Sequence, residues 1–267
     1  MEHPMTENEP DEVDHTDHGD GESRTSSETR CTEETSLEDR IEEWVDEPPS
    51  DEVELVVFDF DGTLAEQRGS WGLLYRLFGV EAAGRERTDA YWNGELTFEA
   101  WCRENVADWR ERNVTRSHIE QAAAAVKLTT GADDLLTYLS KYDLPFGVLS
   151  SGLRDLMSRV EAYDPAFVVS NKVVYDDGTP VDATVRVGPS DKDDALLEIC
   201  DRHGVELEDV VYVGDSHSDT EAFEVAGAAI LFDPDDRLSE ADIDLADYVV
   251  ERRDLRRILP YITRTIG

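Results

Sequence analysis

The chain has 267 residues, of which 63 are Asp or Glu and 25 are Lys or Arg, giving a formal net charge of −38. Its length allows a sizeable core in one or two domains. So negative a field repels nucleic acid and anionic membrane surfaces, which removes those partners. Self-repulsion of this size is relieved where salt shortens the Debye length, so a halophilic source is expected. Cys31, Cys102 and Cys200 are far apart and odd in number, which excludes a disulfide framework and a Cys-x-x-Cys metal site. No apolar run approaches the ~18 residues of a bilayer span, and the first thirty residues lack the basic and apolar parts of a signal peptide, so a cytoplasmic location is expected.

Residues 1 to 50 hold 18 Asp or Glu against Arg24, Arg30 and Arg40 and read as a disordered acidic tail. Within it, Leu37, Ile41, Trp44 and Val45 follow helical spacing behind Ser36 and Asp39, predicting a short amphipathic helix over 36 to 46. Pro48-Pro49 separates it from the first strand. Leu55-Val56-Val57-Phe58 reads as a strand covered on both faces, and Asp59 and Asp61 leave its C-terminal end on the same side, before the Asp61-Gly62 turn signal.

Residues 65 to 130 lack strand patterning and read as a helical insert carrying four of the five Trp. Trp71, Leu74, Leu77 and Phe78 form one stripe; Trp92, Phe98, Trp101, Val106 and Trp109 form another. These aromatics suit either a lid over the preceding acids or the core of a small helical unit. From Gly131 the pattern alternates between helix and strand. A helix over 132 to 142 leads into Pro145 to Leu149, and Ser150-Ser151-Gly152 is expected to open a further helix whose free backbone N–H groups suit an anion. Phe167 to Val169 is a short strand, and Lys172 to Val187 a hairpin turning at Asp177-Gly178. A helix starts at Ser190-Asp191-Lys192; a Lys in a first turn opposes the helix dipole, so Lys192 has an anionic partner or faces solvent. Val210 to Val213 ends in Gly214-Asp215-Ser216-His217-Ser218-Asp219, where Asp219 suits a helix cap and Asp215 does not. Further strands at 228 to 232 and 248 to 250 and a closing helix over 254 to 262 complete the chain.

In a parallel sheet the strand C-termini share one edge, the ligand-binding edge of open α/β folds. That edge gathers Asp59, Asp61, Asp215 and Asp219 with a Ser and a Lys, which are hard oxygen ligands for Mg²⁺ and groups for a phosphate. Such a set suits phosphoryl transfer through an aspartyl phosphate. A receiver-like phospho-acceptor uses similar groups, but has no need of the long insert or the second acidic strand end.

The four stations D-F-D-G-T-L (59 to 64), Ser150, Lys192 and G-D-x-x-x-D (214 to 219) resemble the four motifs of the haloacid dehalogenase superfamily, in order. Within it, L-S-S-G (149 to 152), S-N-K (170 to 172) and the segment 250 to 262 are most similar to archaeal phosphoserine phosphatases. The resemblance covers roughly residues 53 to 264. It implies an α/β, Rossmann-like parallel sheet with a helical cap after the first strand: a core of 51–66 and 128–267, a cap of 67–127, and the tail outside both. It implies a Mg²⁺-dependent phosphomonoester hydrolase with Asp59 as nucleophile and Asp61 as general acid and base. Ser150, with Ser151 and Gly152, and Lys192 would hold the phosphoryl group, and Asp59, the Asp61 carbonyl and Asp215 would hold the metal, with Asp219 in support. The partner would be a small phosphorylated metabolite, phosphoserine in serine biosynthesis or another phosphorylated acid; a phosphotransferase stays open.

Two departures bear on the substrate. The positions matching the family's carboxylate and amine contacts are Asn105 and Arg68 rather than an Arg and a Glu, with Glu66 and Arg103 nearby in a shifted register; Ser218 is a further candidate contact. Ser151 also replaces a glycine of the family's turn, which narrows the pocket.

Overall fold

The computed structural model describes Ile41 and residues 44–263. Of the disordered acidic tail expected over 1 to 50, residues 1 to 40, 42 and 43 lie outside the described residues, while its end is ordered against the core, Glu47 O accepting from the Tyr138 hydroxyl at 3.0 Å and Ser50 N–H donating to Ile262 O at 2.8 Å. Of the short helix predicted over 36 to 46, Ile41 and residues 44–46 are helical, and Ile41 and Trp44 are buried in the main core cluster.

The centre is a seven-stranded sheet in the order β4-β3-β2-β1-β5-β6-β7. Its strands are β1 (Leu55–Phe58), β2 (Phe146–Leu153), β3 (Phe167–Asp176), β4 (Thr179–Thr184), β5 (Val210–Gly214), β6 (Ala228–Phe232) and β7 (Tyr248–Val250). All pairs are parallel except β3 with β4. The period of two along a strand sorts β1 between two cores: Val56 and Phe58 join one cluster, Leu55 and Val57 the other. A strand clothed on both faces reads as an unbroken apolar run, as this one does.

Register positions the acids. Phe58 pairs with Val213 of β5 and with Val148 of β2, and Asp59 N–H donates to Val213 O at 2.9 Å. Asp59 therefore stands beside Gly214-Asp215 on one side and Leu149-Ser150 on the other.

Between β1 and β2 lie the helices Ser70–Phe78, Glu81–Trp92, Phe98–Glu111 and Arg116–Ala125, then Ala132–Lys141, which packs with the sheet. The way out and the way back are stitched together: Glu66 N–H donates to Lys127 O at 2.9 Å and Thr129 N–H to Leu64 O at 2.9 Å, around an antiparallel bridge of Ala65 with Leu128. Inside the four helices, Trp71 meets Trp101 edge-on at 4.8 Å and stacks on Trp109 at 5.4 Å, while Phe98 stacks on Trp101 at 5.3 Å. The aromatic stripes thus form the core of this insert. Leu77 and Trp92 are the exceptions, at 55% and 58% exposed, each in the last turn of its helix.

Three local expectations change. Ser150-Ser151-Gly152 do not open a helix; they continue β2 as far as Leu153, and Ser150 still pairs with Ser170 of β3 before the register shifts. The segments at 167 and 172 form one strand, because β3 runs on past its partner β2 into the hairpin with β4. Its two-residue turn, Asp177-Gly178, has φ 44° and 75°, the doubly left-handed turn that Asp-Gly favours. The closing segment is split into a tight 3₁₀ turn at Leu255–Ile258 and the short helix Leu259–Thr263.

Candidate active site

Three buried carboxylates face one another at the C-terminal ends of β1 and β5. Oxygens of Asp59, Asp215 and Asp219 lie within 4.8 Å of one another. Lys192, the first residue of helix Lys192–His203 and wholly buried, sets its Nζ 3.1 Å from Asp59 Oδ1 and 2.6 Å from Asp219 Oδ1. The choice left open for Lys192 is thereby settled: it has anionic partners, and two of them. Burial acts to lower the lysine, but Asp219 and Asp59 overcome it and hold its pKa well above the usual value.

Asp219 has two duties. Its Oδ2 accepts from Asp215 N–H at 3.1 Å and Ser216 N–H at 3.0 Å, a cap of the turn His217–Asp219, and its Oδ1 takes Lys192 and the Tyr212 hydroxyl at 3.0 Å. Asp219 is therefore a positioning group under Lys192.

Asp61 turns to the other wall. Its carboxylate accepts from the Ser70 N–H at 2.8 Å, the Ser70 hydroxyl at 2.6 Å and Gln67 Nε2 at 3.2 Å. Asp61 as a residue is partly accessible, but its carboxylate lies inside this wall, and burial raises its pKa against the pull of the Ser70 hydrogen bonds. Burial likewise pushes Asp59 up to about 7, with Lys192 pulling down and Asp219 and Asp61 pushing up. Asp215 is raised well above the carboxylate range, first by burial, then by Asp219 and Asp59, with Arg68 opposing.

Two glycines make room for these groups. Gly62 sits at φ 86°, and a Cβ there would overlap the Asp215 carboxylate. At Gly152 a Cβ would stand 2.5 Å from Asp61 Oδ2 and 2.9 Å from Ser70 Oγ, so β2 passes this close to the acid only without a side chain. The Ser150 hydroxyl accepts from Gly152 N–H at 3.1 Å and helps to lower Asp59.

The donor set fits a hard divalent cation. Asp59 Oδ1 and Asp215 Oδ1 are buried without a hydrogen bond; Lys192 approaches Asp59 Oδ1 as a charge off the hydrogen-bond direction. Acceptors left open in a buried acidic cluster are expected of ligands awaiting a cation. The Asp61 carboxylate, held by Ser70 and Gln67, is outside this cluster.

The candidate substrate contacts scatter. Arg68 reaches Asp215 Oδ2 at 2.5 Å and Asp233 Oδ2 at 2.8 Å. Asn105 is fully buried inside the insert, where its amide donates to Trp101 O at 2.8 Å and accepts from Arg87. It presents nothing to a ligand. Arg103 is exposed and pairs with Asp182 of β4 at 3.2 Å, Glu66 is exposed, and Ser218 Oγ lies 3.1 Å from Ser216 Oγ. Asn171 is saturated, joining Ser151 O and Val187 O to Arg186 N–H and Val187 N–H.

Five participants carried no sequence signal strong enough to single them out: Gln67 and Ser70 on Asp61, Tyr212 on Asp219, and Asp233 and Arg253 around Arg68. Arg253 Nη1 is 3.2 Å from Asp233 Oδ2, and Asp233 directly follows β6 with φ 44°. Its place just past a strand end, like Asp59 and Asp215, is the one hint the sequence held.

Fold and site together define a haloacid dehalogenase-like hydrolase. The profile of that family matches residues 56–224, and the chain belongs to it. More particularly, its relatives are phosphatases. It is 30% identical to the phosphoserine phosphatase of Methanocaldococcus jannaschii over 212 residues, 78% of this chain and 97% of that protein. With the phosphoserine phosphatase of Halobacterium salinarum it shares 34% over 195 residues, 67% of this chain and 86% of that one. Among solved structures, a phospho-aspartyl intermediate analogue of phosphoserine phosphatase aligns at TM-score 0.64 and 28% identity, covering 79% of this chain and 99% of that one. A substrate-bound phosphoserine phosphatase aligns at TM-score 0.64 and 27% identity over 79% and 98% of the two chains. The chain is a phosphatase of this family.

Proposed function

We propose that the chain hydrolyses a small phosphorylated acid as the phosphoserine phosphatases do, through an aspartyl phosphate on Asp59 and with Mg²⁺ as its resident metal. The observation that carries this is the buried cluster of Asp59, Asp215 and Asp219, with carboxylate oxygens within 4.8 Å of one another, Lys192 Nζ 3.1 Å from Asp59 Oδ1, and Oδ1 of both Asp59 and Asp215 without a hydrogen bond. Asp59 attacks phosphorus as the ester P–O bond breaks, and Asp61, whose pKa burial has raised, gives its proton to the departing alcohol oxygen. In the second half Asp61 takes a proton from water, the water oxygen bonds to phosphorus, and the bond to Asp59 breaks to free inorganic phosphate. Lys192 and Ser150 hold the phosphoryl oxygens throughout. Asp59, Asp215 and the Asp61 carbonyl would hold the metal, which when bound offsets charge on the phosphoryl group.

On this reading residues 51–66 and 128–267 are the core and 67–127 a cap, bolted to the site through Ser70. Trp71 supports that role, its Nε1 donating to Ser151 O at 3.4 Å. The acidic surface and the archaeal relatives support a cytoplasmic, salt-adapted enzyme that frees serine. A second reading of the substrate, a phosphorylated acid without an amine, rests on Arg68: the family's position for an acidic contact is here a cation.

The test is phosphate release from a panel of phosphomonoesters with Mg²⁺, at high and low salt, by the wild type and by Asp59→Asn. Release from at least one small phosphorylated acid, absent in the variant, is expected. Equal release by Asp59→Asn would refute the mechanism.

A further inference from the structure

Arg68 does not stand in open solvent as a substrate-facing arm. Its guanidinium is split between two carboxylates, Asp215 Oδ2 at 2.5 Å and Asp233 Oδ2 at 2.8 Å, and it also donates to Asp233 O. Asp233 is itself steadied by Arg253, which in turn donates to Glu66 O at 2.5 Å, so Arg68 and its anchor belong to one braced loop cluster.

Charge counting gives this contact a purpose. Asp59, Asp215 and Asp219 are packed together and nearly sealed from water, and the only described cations paired with them are Lys192 and Arg68. Lys192 is shared by Asp59 and Asp219. Asp215 is then left with Arg68, which it shares with Asp233. Buried carboxylates in such proximity repel strongly unless each has a counter-charge.

We propose that Arg68 is the placeholder cation of the metal site: it compensates Asp215 while the metal is absent, and it competes with a divalent cation for that carboxylate. This rests on Asp59 and Asp215 being metal ligands. When a divalent cation binds, Arg68 loosens from Asp215 and keeps Asp233, which lies at the rim and is partly accessible. Metal binding is thereby weakened by a cation built into the chain, and the metal-free fold is protected from its own acids. The same event turns the Nη1 side of the guanidinium, no longer on Asp215, toward the site while Nη2 stays on Asp233.

The test is calorimetric titration of the full-length protein with Mg²⁺ alone, paired with thermal melts with and without the metal. Arg68→Gln removes the charge and keeps a polar, shorter side chain. It is expected to bind Mg²⁺ on the order of tenfold more tightly than wild type, to melt lower when metal-free, and to melt like wild type when saturated. Arg68→Lys keeps the charge and is expected to stay near the wild-type affinity. Equal or weaker binding by Arg68→Gln overturns the proposal, because an arginine that merely orients Asp215 would weaken the site when lost. So does an Arg68→Lys variant as tight as Arg68→Gln. Asp215→Asn separates the two readings. If it binds Mg²⁺ as wild type does, the metal assignment fails and the placeholder with it. If it abolishes binding while Arg68→Gln changes nothing, only the placeholder fails.

Discussion

Ser70 gives Asp61 both its backbone N–H and its hydroxyl, at 2.8 and 2.6 Å to the same carboxylate oxygen. Ser70 is also the first residue of the helix Ser70–Phe78, so the acid sits at the positive end of the first helix of the insert. The insert is therefore part of the acid's environment, and displacing that helix would change the acid's proton affinity.

Ser70→Ala removes the hydroxyl and leaves the backbone donor. Because these hydrogen bonds favour the ionised form, their loss raises the Asp61 pKa further. The limb of the pH–rate profile on which Asp61 must be protonated should move to higher pH, with kcat falling roughly tenfold from poorer orientation. An unmoved limb would show that Ser70 does not control the acid.

Lys192 is the most exposed to failure of all the site's charges, because it is wholly buried between two carboxylates. Lys192→Met leaves both uncompensated, a loss of about 3–5 kcal/mol and on the order of 10 °C in Tm for a chain this size. Combining it with Asp219→Asn should recover part of the stability and none of the activity. A double variant no more stable than the single one would place the cost elsewhere than in charge.

The elevated Asp59 gives a stability signature in the metal-free chain. Its pKa rises from 3.8 unfolded to about 7 folded, so between those values the folded state holds more protons than the unfolded one. Stability from this group is therefore lost as pH rises from about 4 to about 7 and is level above. In EDTA, denaturant unfolding of wild type should show this fall, and Asp59→Asn should make it shallower, the part that remains coming from Asp61 and Asp215, whose pKa values burial also raises. The same slope in both proteins would mean that burial does not raise Asp59.

The legible part of the site was what strand geometry dictates. An unbroken apolar run ending in Asp59, and a second ending in Gly214-Asp215, implies two central parallel strands whose C-termini coincide, and the Phe58 to Val213 pairing meets that expectation. Lys192 announced itself as a charge on the wrong end of a helix. What stayed hidden depends on loop paths and on helix rotation. Ser150-Ser151-Gly152 carries the composition of a helix start, yet pairing through Ser170 extends it as strand. Asn105 fell at a substrate position by spacing alone, while packing against the helix Glu81–Trp92 rotates it onto Arg87. Nothing in the spacing of Arg68 foretold Asp215 and Asp233, which are far along the chain and arrive from two other strand ends.

Arg68 also bears on the substrate. A guanidinium at the mouth of the site repels an ammonium and attracts a carboxylate or second phosphate, and at ~4 Å with an effective dielectric near 20 each such interaction is on the order of 4 kcal/mol before desolvation. Asp233 and Asp215 offset part of this, and Arg68 is about a third exposed, so the usable preference is smaller. Phosphoglycolate should then exceed phosphoserine in kcat/KM by roughly tenfold, one interaction of about 1.4 kcal/mol surviving. Arg68→Glu, which restores an acidic group, should reverse the order. The measurement is kcat/KM for both substrates in both proteins, at saturating Mg²⁺ so that the change in metal affinity does not enter. If wild type prefers phosphoserine and Arg68→Glu abolishes that preference, the amine is recognised by another acidic group, and the exposed Glu66, two residues before Arg68, is the first to replace.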